Sequence, residues 1–179
     1  MKDLKDFNIS FIGLKQGSHL FEYQISKKFF DAYNFDEFNN CNIAVNVNLA
    51  KKSTFLELDF NIKGFVNIPC DITSELFDQE IKGDLHLIVK FGHEFNDDNE
   101  DVLIIPHEEY QINVSQYIYE LIILSVPSKR VHPKVLDGTM KSETLEKLEE
   151  LKIKDNNPNK KQDSTDPRWD KLKDLLTDK

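Results

Sequence analysis

Little in this chain of 179 residues can cross-link it or interrupt it: it has two cysteines, six glycines, six prolines and one tryptophan. Cys41 and Cys70 are too few for the disulfide framework of a small secreted scaffold, and an all-thiolate zinc site cannot be built within one chain. Both read as buried thiols. Apolar runs fall short of the roughly 20 residues that a spanning helix needs. The opening "MKDLKDFNISFIGL" mixes acids with its bases and holds no signal-peptide core. The expectation is a cytoplasmic protein without membrane contact. Positive charge is scarce as well. The formal charge is −9, with 13 Lys and Arg against 21 Asp and Glu up to Leu136 and 10 against 11 beyond it. Such a body repels polyphosphate, so contact with nucleic acid has to come from a local basic patch.

Catalytic signatures are missing too. The chain has no G-x-S-x-G, H-E-x-x-H, Walker A or G-x-G-x-x-G, which leaves hydrolase and phosphate-cradle chemistry without support. His19, His86, His93, His107 and His132 lack the i, i+4 helical spacing that pairs metal ligands, and they read as solvated or strand-face histidines. Asn96 to Asp101 is acidic but lacks the central Gly and terminal Glu of an EF-hand, so it reads as a solvated loop. The expectation is no catalytic residue, no metal, no cofactor and no small-molecule substrate. A metal-dependent nuclease using the acidic loop with His93 or His107 stays as a motif-less alternative.

What is present is strand pattern. With 39% hydrophobic residues the chain can bury one domain core. Phe7, Ile9, Phe11 and then Phe21, Tyr23, Ile25 alternate around "GLKQG", a strand, turn, strand opening. "SKKFFDAYNF" places Phe29, Phe30 and Tyr33 at helical spacing behind a Ser26 N-cap. Period-two alternation is clearest at Ile43 to Leu49, Leu56 to Ile62 and Leu85 to Phe91. "AKKST" joins the first two as a hairpin, and Gly64, Pro69 and Gly83 punctuate the way to the third. Two short strands follow the acidic loop. A helix then opens in "NVSQYIYELIILSVP", with Asn113 and Gln116 as a capping box, a buried face of Tyr117, Ile118, Leu121, Ile122 and Leu124, and Pro127 at its end. The predicted fold is α+β: a curved antiparallel sheet or open barrel with two packed helices and a mobile C-terminal tail ending in a short amphipathic helix.

Three segments follow from composition: a body over 1–136, a polar linker over 137–165 with a marginal helix from Glu143 to Ile153, and a Trp-bearing helix over 166–179. "SKRVHPK" gathers Lys129, Arg130, His132 and Lys134 directly after the long helix, the densest basic cluster of an acidic body. Cations there either meet an anionic partner or merely complement the negative end of the helix dipole. In "DPRWDKLKDLL", Asp166 is an N-cap, Pro167 suits the first helical position, and Trp169, Leu172 and Leu176 share a face. A helix so short orders only when its Trp face is packed on something.

"IPCDIT", "LIILSVPSKRVHP" and "DPRWDKLKDLL" resemble the bacterial YceD-type proteins, named for large ribosomal RNA subunit accumulation, which also have plastid relatives. The resemblance covers most of the chain. It implies that Cys70 fills the first position of that family's C-x-x-C, that Pro127 and His132 match its post-helix segment, and that Asp166, Pro167, Arg168 and Trp169 match its tail signature. Thr73 stands where the second cysteine would be, so the zinc of cysteine-rich members is not expected. The implied role is non-enzymatic: support of the synthesis, processing or accumulation of large-subunit ribosomal RNA by binding precursor rRNA or an assembling large subunit. RNA or partner contacts would fall to Lys129, Arg130, His132, Lys134, Arg168 and Trp169. An alternative partner is a basic large-subunit ribosomal protein, held by an acidic module with Trp169 as its anchor.

Overall fold

The computed structural model describes residues 4–99 and 101–151. Two compact units divide the chain, 1–140 and 141–179. In the first, a single 3₁₀ turn, Lys5–Phe7, leads to β1 (Asn8–Ser10), and β2 (Gly17–Ser26) runs into α1 (Lys27–Asp31). Three long strands follow: β3 (Asn40–Lys51), β4 (Phe55–Pro69) and β5 (Leu76–Gly92). β6 (Asn96–Asn99), β7 (Val102–Pro106) and β8 (Gln111–Asn113) precede α2 (Ser115–Ser125) and the one-turn α3 (Pro133–Leu136). In the second unit α4 (Glu143–Leu151) buries no side chain and carries a Lys147–Glu143 pair one turn apart at 2.5 Å, as expected of a solvated helix. Asp166, Pro167, Arg168 and Trp169, with the expected linker and tail helix, lie outside the described residues.

The main sheet has six strands in the order β2-β3-β4-β5-β7-β6 and does not close, so the fold is α+β on an open sheet. Its pairings are antiparallel except β5 with β7, where Ile88 faces Val102 and Gly92 faces Pro106 in parallel register. The parallel pair arises because β7 inserts between β5 and the edge strand β6, which is antiparallel to β7. β1 does not pair with β2. It forms a separate two-stranded sheet with β8, Ile9 opposite Ile112.

Alternation decides which face is covered. Ile43, Val45, Val47 and Leu49 of β3 and Leu56, Leu58, Phe60 and Ile62 of β4 are all within 1% of full burial. The residues between them, including Asn42, Asn46, Asn48, Asp59 and Asn61, face solvent. Aromatic side chains fix the helices on the covered face: Phe30 meets Phe38 at 4.9 Å, and Tyr33 stacks on Tyr119 of α2 at 4.2 Å between ring centroids. Burial of this continuous cluster is the main driving force of the fold.

Two glycines expected to interrupt strands lie inside them. A Cβ on Gly64 would strike the Asn42 carbonyl and come within 2.6 Å of Ile43 Cα on β3. A Cβ on Gly83 would meet Ser125 Oγ and lie 3.2 Å from Leu121, so α2 rests on the bare backbone of β5 at this point. β4 and β5 therefore run almost the full length between residues 55 and 92, joined by a short tip at Cys70 to Glu75. The expected acidic loop is also a strand in part: Asn96–Asn99 is the exposed edge, its carboxylates turned to water.

The long helix starts otherwise than expected. Asn113 Oδ1 accepts the Ser115 N–H at 3.0 Å, while its Nδ2 donates to the Leu4 carbonyl at 3.0 Å, so it ties the helix entry to the N-terminal turn. Gln116 does not reach back to complete a capping box; it donates along the exposed face to Glu120 at 2.6 Å. Leu124, expected on the buried face, is 83% exposed, because α2 meets the sheet through Ile118, Leu121 and Ile122.

Candidate partner-binding site

The basic segment behind α2 folds onto the tip of the β4–β5 hairpin. There the Cys70 N–H donates to the Glu75 carbonyl at 2.9 Å and the Ser74 N–H to the Cys70 carbonyl at 2.8 Å. Ser74 takes φ 60°, a left-handed conformation usually left to Gly or Asn. Asp71 then clasps Arg130 through the main chain twice: its N–H donates to the Arg130 carbonyl at 2.8 Å, and its Oδ2 accepts the Arg130 N–H at 2.7 Å. Val131 is buried beside this clasp.

Each member of the expected patch has a distinct place. The Arg130 guanidinium bridges to Glu37 at 3.1 Å. The His132 N–H donates to Cys70 Sγ at 3.3 Å, its ring lies 5.3 Å from that of Phe77, and its Nδ1 accepts the Lys134 N–H at 3.0 Å to cap α3. Lys129 and Lys134 are exposed and form no ion pair among the described residues. The last turn of α2 itself carries no basic residue; the cluster begins four residues beyond Ser125. What orders the segment is the Asp71 clasp and the thiol of Cys70. Pro127 lies exposed just past the end of α2, whose last residue is Ser125.

Cys70 and Thr73 face each other at this corner. Burial pushes the Cys70 thiol up, but the His132 N–H, the Thr73 hydroxyl and the N–H groups of Ile72 and Thr73 outweigh it and hold the thiol below its ordinary 9.0. Cys41 shows the contrast: burial first, then the Asp31 charge, push it up to about 11. Both thiols are free. Among the described residues no group of three or more His, Cys, Asp or Glu is gathered to hold a metal. His93 and His107 approach edge to face at 6.0 Å, and His86 pairs with Asp59 at 2.6 Å on the open face of the sheet.

A second feature went unrecognised in the sequence. Between α2 and the surface of β5, β6 and β7 runs a groove of 690 Å³ with an apolar floor that includes Leu103, Ile105 and Tyr117. Phe95, 60% exposed, and Leu124, 83% exposed, flank it. Asp97, Glu109 and Glu120 lie on its rim, and no Lys or Arg is among the described residues that line it. The Tyr117 hydroxyl is held above its ordinary value by burial, then by the charges of Asp97 and Glu120. The one signal available beforehand was a pair of large apolar residues next to acids, Phe95 before Asp97 and Leu124 after Glu120.

The described residues thus combine an open sheet, a clasped corner and an apolar groove rimmed by carboxylates. Residues 58–176 match the family of the large ribosomal RNA subunit accumulation protein YceD, and the chain belongs to that family. The family is named for an accumulation factor and not for an enzyme. The matched span includes the tip, the basic segment and the tail signature. No curated protein and no solved structure matches the chain. No described helix is long and apolar enough to cross a membrane.

Proposed function

We propose that this chain is a non-enzymatic, cytoplasmic factor that supports accumulation of the large-subunit ribosomal RNA by binding the assembling large subunit or its precursor rRNA. The match to the YceD family across residues 58–176 carries this reading. Within it Lys129 and Lys134 are the cations offered to phosphate, and Arg130 and His132 position them through the corner. Arg168 and Trp169 are the proposed tethered anchor.

The groove favours a second reading, in which the acidic module holds a basic large-subunit ribosomal protein. Its carboxylate rim repels RNA and attracts cationic protein. Gradient co-sedimentation tests the primary reading. The full chain is expected to travel with large-subunit precursors, and Lys129→Glu with Lys134→Glu to weaken that association about ten-fold while unfolding stays within about 0.5 kcal/mol of the parent. If the parent never travels with precursors, the reading fails; if the double variant travels as well as the parent, the patch is not the contact.

A further inference from the structure

The groove beside α2 has what a peptide-docking surface needs, and its chemistry selects among occupants. Its flanks, Phe95 and Leu124, are themselves largely exposed, so it does not enclose a small molecule as a cofactor pocket does. Nucleic acid is disfavoured, since Asp97, Glu109 and Glu120 would face its phosphates with no lining Lys or Arg to offset them. A second copy is disfavoured as well: each chain brings a formal charge of −9. Among occupants from outside the chain, what remains is a partner that is apolar along one stripe and basic along its edges.

We propose that this groove binds a basic amphipathic segment of a partner protein, its apolar side chains on Leu103, Ile105 and Tyr117 and its Lys or Arg heads on Asp97, Glu109 and Glu120. Phe95 and Leu124 close over the apolar stripe from either side. An apolar stripe at helical spacing, read by a hydrophobic groove, is a common mode of peptide recognition. The carboxylates add on-rate and selection by charge, and the apolar floor gives affinity. Occupancy of the groove also explains why large apolar side chains stand exposed beside it: an uncovered patch of this kind marks an interaction site. The inference rests on the assembly-factor reading for the kind of partner, a basic protein of the large subunit, but not for the existence of the site.

Three labelled synthetic peptides test it by fluorescence anisotropy with the full chain: a Leu/Lys peptide with leucines at helical spacing, its Leu/Glu counterpart, and a Ser/Lys peptide of equal charge. The Leu/Lys peptide is expected to bind at least about ten-fold more tightly than either of the others. Phe95→Ser with Leu124→Ser should weaken it about ten-fold without moving the unfolding temperature, since both side chains are exposed. Glu109→Gln with Glu120→Gln should weaken it and flatten its salt dependence. Equal binding of the Ser/Lys peptide would reduce the groove to a diffuse charge effect and overturn the proposal. So would full affinity in the Phe95 and Leu124 double variant, or a dimer in sedimentation equilibrium that this variant dissolves. These outcomes leave co-sedimentation with large-subunit precursors untouched, so failure of the groove and failure of the assembly-factor reading are told apart.

Discussion

The Cys70 corner and the α2 groove treat their side chains in opposite ways. At the corner polar groups are paired within the chain: Asp71 with the Arg130 backbone, Arg130 with Glu37, His132 with Cys70 and with the start of α3. At the groove Leu124 and Phe95 stand in water and three carboxylates face no cation among the lining residues. Polar groups that pair within the chain hold a fold, and large apolar side chains left exposed at a surface are available to a partner. The densest basic cluster in the sequence thus divides: Arg130 and His132 are held in the clasp, Lys129 and Lys134 stay exposed, and the less conspicuous acidic stretch frames the proposed docking groove.

Substitutions at the corner should therefore cost stability where substitutions at the groove do not. The largest effect is expected from Phe77→Ala, which removes a buried ring under His132 and should destabilise by about 3–5 kcal/mol; urea unfolding with an unchanged denaturant slope checks it. Asp71→Ala leaves the Arg130 N–H without its carboxylate at an exposed position, and a loss of about 1 kcal/mol is expected in the same assay. An Asp71 variant as stable as the parent would mean that the clasp does not order the segment.

The smallest effect is a difference in pH dependence. The folded state holds the Cys70 thiol below 9.0, so its ionised form is favoured; that contribution is complete above 9.0 and is lost as pH falls through the lowered value. The parent should gain stability over Cys70→Ala as pH rises towards 9.0. Cys41 has the opposite sign. Its thiol, pushed up to about 11, contributes below 9.0 and loses that contribution as pH climbs through about 11. Urea titrations across this range on the two Ala variants should diverge in opposite directions from the parent. Parallel curves would contradict the donor nest around Cys70.

The strands were legible because burial on one face leaves a period of two, and Ile43 to Leu49 or Leu56 to Ile62 can be read by eye. The turn between β4 and β5 was not. Its left-handed position is taken by Ser74 and not by a glycine, while Gly64 and Gly83, which look like breakers, serve close approach inside strands. The parallel β5–β7 pair was hidden because insertion of one strand between two others leaves no mark on local pattern. For the candidate site, the motif residues Cys70 and His132 could be named, but not that they meet across 62 positions of chain, nor that Asp71 and Glu37 complete their corner. The groove was illegible for the same reason: Leu103, Glu109 and Leu124 become neighbours only once β7 and α2 are in place.

The central claim is that this chain supports accumulation of large-subunit ribosomal RNA. It is tested most directly by depleting the protein in its host and measuring the ratio of large- to small-subunit ribosomal RNA, with re-expression of the parent as control. The account predicts that the ratio falls on depletion and returns with the parent. A ratio that does not change on depletion would contradict it.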